Sequence, residues 1–229
     1  MKNLKTLIAL TIMVFIPFGL VIWMRIHQTS GFASTELIAY PLLFGGGSIV
    51  VLYFLKKYFL KESLADFNSG KGNWKTDILW GFALVTVYFI LFYVEWLTLR
   101  NWLTFNSNTE LLGLMLDMRE KPWLLVIWFG PVLWIGIALY EELIRVFILT
   151  SLWKFSNHIL WTIVVIIIAS SIIGLAHWSQ GSYGMVTIGI KSMVSGFFFY
   201  KYRRLLPLVI AHVLYDGIQV ALLLITYPH

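Results

Sequence analysis

Residues 123–152, WLLVIWFGPVLWIGIALYEELIRVFILTSL, decide how this chain is read. Almost every position is apolar, and the run is too long for one straight helix across a hydrocarbon core that needs roughly 17–25 residues. Gly130-Pro131 is the natural place for a break, because proline removes a backbone donor and clashes with the preceding turn. Into this stretch are set Glu141, Glu142 and Arg145. An ionisable group in hydrocarbon costs several kcal/mol unless paired or hydrated, so such a cluster is a functional-site hypothesis by default.

The rest of the chain agrees with a membrane reading. Of 229 residues, 59% are hydrophobic and 12% charged, with mean hydropathy +0.82; a soluble domain carries roughly twice that charged fraction. Eleven Trp and eleven Tyr supply an aromatic girdle for the lipid–water boundaries. The net charge of +6 reflects orientation in a bilayer and gives no sign of a nucleic-acid partner. With no Cys, disulfides, thiolate catalysis and Cys-ligated metals are excluded.

Apolar runs at about 7–24, 37–55, 78–98, 123–152, 159–177, 185–200 and 206–226 predict an all-α, polytopic membrane helical bundle of about seven to eight transmembrane helices. Seven crossings follow directly, and eight if the 123–152 run divides. The Leu7–Met24 run is longer than the hydrophobic core of a signal peptide and no small-x-small cleavage site follows, so it reads as a retained first span. Lys and Arg crowd the loops of one side: Lys2, Lys5, Lys56, Lys57, Lys61, Lys71, Lys75, Lys154, Lys201, Arg203 and Arg204. Only Arg25, Arg100, Arg119 and Lys121 fall opposite, which places the N-terminus in the cytoplasm of a multi-pass cell-membrane protein. Lys57 to Phe67 is expected to lie along the interface as an amphipathic helix, and Leu111–Leu116 to do the same on the other side. Gly45-Gly46-Gly47 reads as a helix-packing point in preference to an unwinding point. No internal repeat or low-complexity segment is visible, so 1–229 is one membrane domain.

Three groups of residues carry the chemistry. Glu141 and Arg145 are four apart and share a helix face, while Glu142 is three before Arg145, so the guanidinium can reach either carboxylate. Two adjacent carboxylates in a low-dielectric site do not both ionise cheaply. Arg145 is expected to balance one and leave the other as a general base for water. The plainer account is an ion pair that locks two helices, but one Arg neutralises only one Glu. His212 and Asp216 are also four apart, a spacing that orients an imidazole for metal binding or for donating to an oxyanion; a buried His satisfied by its own Asp is the bland alternative. His177 closes an apolar run beside Trp178, where an interfacial His is the commoner occupant. Lys191 sits mid-span and is expected to snorkel or to pair with an acid such as Glu95 or Asp216. Ser192, Ser195 and Gly196 form a small-residue stripe suited to close packing.

Three segments in this order, Tyr140-Glu141-Glu142-Leu143-Ile144-Arg145, Gly174-Leu175-Ala176-His177 and Pro207-Leu208-Val209-Ile210-Ala211-His212-Val213-Leu214-Tyr215-Asp216, resemble the CAAX protease and bacteriocin-processing (CPBP) family of intramembrane proteases, of the type II CAAX protease-like kind. The resemblance covers about 123–226, a protease-like core preceded by variable spans over 1–122. It implies an intramembrane endopeptidase acting on a membrane-associated peptide or protein. Glu141, helped by His177, would activate water; His212 and Asp216 would stabilise the oxyanion or hold a metal; Glu142 and Arg145 would orient the first acid. No cofactor is certain, and a divalent metal such as zinc stays open, since Glu, His and Asp serve both mechanisms. Two positions depart from the family pattern. Arg145 falls three rather than four residues after the second Glu, a rotation of about 100°, and Ile173 stands where an aromatic precedes the motif His.

Two other readings remain on this sequence: a non-catalytic member acting in bacteriocin immunity or partner binding, and a proton-coupled transporter, for which the repeated half-structures of many carriers are not visible. Straight helices would leave His212 roughly 12–15 Å nearer the cytoplasm than Glu141 and His177. Tilt, or a last span that begins deeper, has to absorb that difference.

Overall fold

In a computed structural model the chain is described at residues 2–27, 33, 35–106 and 109–226. Among these residues there are helices and turns and no strand, as the composition predicts. The long helices are α1 (Lys2–His27), α2 (Glu36–Leu60), α3 (Trp74–Leu99), the short α4 (Thr109–Asp117), α5 (Pro122–Phe155), α6 (Ile159–Ala176), α7 (Gly181–Tyr202) and α8 (Leu206–Thr226). Among the described residues five helices, α2, α3, α5, α6 and α8, are long and apolar enough to cross a membrane. Helix α7 is long enough, but Lys191, its serines and its glycines dilute its hydropathy. The protein is a helical membrane bundle.

The predicted break in the long run is present. Gly130 has φ −85° and ψ −111°, outside the helical region, and the chain continues from there through wide π turns to Leu139 before α-helix resumes at Tyr140. The run thus stays one kinked element. Its second half is the centre of the bundle, where Glu142 through Leu149 are all buried. Around it α6 packs on α7 and α3 on α8, while α2 lies against the first half of α5. That last contact is a backbone-to-backbone approach. A Cβ at Gly45 would stand 2.2 Å from the Gly136 carbonyl oxygen, which bears out the packing account of this glycine.

One end of the bundle is laced by its basic residues. Lys154 reaches Glu62 at 2.5 Å, Lys56 reaches Glu62 at 3.3 Å and Asp66 at 3.2 Å, and Arg204 pairs with Asp77 and donates to the Gly70 carbonyl. The amphipathic helix expected from Lys57 to Phe67 does not form. Helix α2 runs on to Leu60, Lys61 turns left-handed at φ 57°, and Leu64–Asn68 is a separate 3₁₀ turn. The segment turns back so that the buried Lys56 side chain lies over the Phe67 ring, 4.5 Å from the centroid. Leu111–Leu116 does fall in a short helix, α4, with Leu114 buried.

Candidate active site

The wide π turns beneath Tyr140 set the rotation at which the Glu pair enters the bundle interior, a use to which π segments are often put. Glu142 is buried and Glu141 partly exposed: their side chains are 3% and 24% exposed. Arg145 forms its ion pair with Glu142, three residues before it on the same helix face. Its Nε donates to Ser192 Oγ of α7 at 2.9 Å. Although the spacing lets Arg145 reach either acid, the ion pair forms with the second glutamate.

Helix α8 closes the arrangement. His212 Nδ1 lies 3.0 Å from Glu142 Oε1, and its Nε2 lies 3.2 Å from Asp216 Oδ2 and 4.0 Å from Glu141 Oε2. The depth mismatch expected for His212 is absorbed by a last helix that begins deeper. Arg203, left-handed at φ 52°, stacks its guanidinium 4.4 Å from the Trp153 ring, so the turn before α8 sits level with the end of α5. From that level Glu142 is eleven residues up one helix and His212 nine up the other, a height difference of about 3 Å.

All six residues singled out by sequence, Glu141, Glu142, Arg145, His177, His212 and Asp216, line one cavity of about 520 Å³. His177 is the outlying member. It caps α6, donates from Nδ1 to the Ile173 carbonyl at 2.8 Å and reaches neither glutamate. Because a carbonyl can only accept, this bond fixes the proton on Nδ1 and leaves Nε2 with a lone pair in the neutral ring. Sequence reasoning missed two contributors: Ser192, read as packing, is the anchor of Arg145, and Tyr88 of α3 shares a 2.6 Å hydrogen bond with Ser195 and lines the cavity. Lys191 pairs with Glu95, one of the two acids named for it. A signal for the α7 residues existed. Gly184, Thr187, Lys191 and Ser195 recur at three- to four-residue spacing and, with Ser192, mark one stripe of small and polar residues along that helix.

The donor set does not present a metal cage. Both ring nitrogens of His212 already face carboxylates, His177 is turned to Ile173, and no group of three His, Asp or Glu side chains among the described residues converges for an ion.

Residues 122–218 match the family model described as Type II CAAX prenyl endopeptidase Rce1-like. All six cavity residues fall inside that segment, and the family resemblance read from their motifs is borne out. No curated protein and no solved structure matches the chain. The match supports a function of the CAAX intramembrane protease type.

Proposed function

We propose that this protein is an intramembrane endopeptidase that hydrolyses a peptide bond of a membrane-associated peptide or protein, with Glu141 as the base for the attacking water. One observation carries the reading: of two adjacent glutamates at the cavity, Glu142 is held by Arg145 and His212, whereas Glu141 is partly exposed with its nearest ionic neighbour at 4.0 Å. Neighbouring carboxylates in different surroundings take different roles.

In this reading a water between Glu141 and the scissile carbonyl loses a proton to the carboxylate as its oxygen bonds to the carbonyl carbon. The electron pair of the C=O bond moves onto oxygen, where the imidazole N–H of His212, oriented by Glu142 and Asp216, stands ready to donate. Collapse re-forms the carbonyl, the C–N bond breaks, and the proton held by Glu141 passes to the leaving amine. His177 Nε2, facing the same cavity, orients the water or the departing amine. The membrane is the partner that presents the substrate, and the basic end of the bundle faces the cytoplasm.

Purified protein in proteoliposomes is given an S-farnesylated CAAX peptide, and products are read by mass spectrometry. Wild type cleaves and Glu141→Gln falls by about 10²–10⁴-fold, the usual contribution of a general base, with its helical content intact. Equal cleavage by both proteins, or none by wild type, contradicts the proposal.

A further inference from the structure

The same cavity has a second polar wall that the mechanism above leaves idle. Lys191 of α7 lines it, 5.7 Å from the Tyr215 ring centroid, and forms a buried ion pair with Glu95 of α3. The two side chains are 10% and 4% exposed. A buried ion pair is a weak device for stability, since apolar residues of similar volume commonly serve as well. An isolated pair inside a membrane bundle therefore needs another reason to be there.

Donor accounting supplies one. An ammonium has three N–H donors and no acceptor. One goes to Glu95, a second makes a long bond of 3.4 Å to the Thr187 carbonyl, and the third is uncommitted on a side chain that lines the cavity. The other cationic side chains of the cavity already have work: Arg145 is tied to Glu142 and Ser192, and His212, set between Glu142 and Asp216, serves the oxyanion in the mechanism above. Lys191 thus offers the cavity a cationic donor that the mechanism does not use. Its charge is balanced by Glu95, which disfavours a second carboxylate and favours a neutral acceptor. The neutral acceptor that every peptide repeats is the main-chain carbonyl. Lys191, Tyr215 and Asp216 all line this one cavity, with Lys191 beside the Tyr215 ring, so a peptide seated against Asp216 lies in the space that Lys191 also borders.

We infer that Lys191, held in place by Glu95, is a substrate-binding residue that donates a hydrogen bond to a peptide carbonyl oxygen in the cavity. This rests on the peptidase reading. The carbonyl is either the scissile one, whose oxygen gains charge during the reaction, or a neighbour that gains none.

The test uses the full-length protein with the paired change Lys191→Met and Glu95→Leu, which strands no buried charge. Size-exclusion profile and thermal midpoint confirm folding, and cleavage of the S-farnesylated CAAX peptide is measured. A fall in kcat of about 10²-fold identifies the scissile carbonyl, and a rise in KM of roughly tenfold with kcat intact identifies a neighbour; either outcome supports the inference. Lys191→Arg, which keeps a cationic donor, recovers part of the loss. Unchanged kcat and KM overturn it and leave the pair a helix tie. If wild type cleaves nothing, the peptidase reading fails, and fluorescence anisotropy of the same labelled peptide decides the inference separately: tenfold weaker binding by the paired variant supports it, while equal binding or no binding by either protein overturns it.

Discussion

Replacing Arg145 with Met should destabilise the bundle by about 3–5 kcal/mol, the cost of stranding one partner of a buried pair. The structure narrows that range. Glu142 is 3% exposed and loses its only guanidinium, but His212 Nδ1 stays 3.0 Å from its Oε1, so the lower end, about 3 kcal/mol, is expected. The tie from α5 to Ser192 of α7 is lost as well. Adding Glu142→Gln removes the stranded charge while an amide can still bond His212. The double variant should then stand about 1–2 kcal/mol below wild type, the size of one or two lost hydrogen bonds, and more stable than Arg145→Met alone. Reversible unfolding in SDS-containing mixed micelles, followed by tryptophan fluorescence, measures all three proteins. An Arg145→Met variant within 0.5 kcal/mol of wild type, or a double variant less stable than the single, would refute the argument that this guanidinium serves Glu142.

Three other outcomes follow from particular contacts. Gly45→Ala drives a Cβ to within 2.2 Å of the Gly136 carbonyl, so α2 must shift from α5, at a cost of about 1–3 kcal/mol in the same unfolding assay; no change would mean the two helices do not meet there. His177→Phe should lower peptide cleavage while leaving the unfolding midpoint nearly unchanged, because its polar contact is a single bond to its own helix; full activity would remove His177 from the mechanism. Prolonged chelation followed by metal analysis should leave cleavage intact, since the imidazole nitrogens nearest the acids are already engaged. Loss of activity restored by zinc would reverse that conclusion.

Much of the site could be read from spacing because helices make spacing into geometry. A spacing of four from His212 to Asp216 became a 3.2 Å approach, and one of three from Glu142 to Arg145 an ion pair. What spacing cannot carry is the relative height of two helices. The bond from His212 to Glu142 depends on how deep α8 begins, which is set by Arg203 stacking on Trp153 some fifty residues away in sequence. The role of Ser192 was hidden for another reason: a small polar residue on a packed helix looks the same whether it fills space or accepts from a guanidinium. Lys56 shows the converse error. A lysine counted among the basic loop residues reads as solvated, yet a nearby ring and two acids accompany its burial.

The cysteine-free chain permits a direct test of whether α5 and α8 bring their acids to one wet cavity. Glu141→Cys, Glu142→Cys and Asp216→Cys are made singly, and Glu141→Cys with Asp216→Cys together, in membrane-embedded protein. The structure predicts that a small water-soluble thiosulfonate labels positions 141 and 216, leaves 142 unreacted, and that a short bifunctional reagent joins 141 to 216 within one chain. Unlabelled 141 and 216, or labelled sites that no short linker can bridge, would contradict the shared cavity.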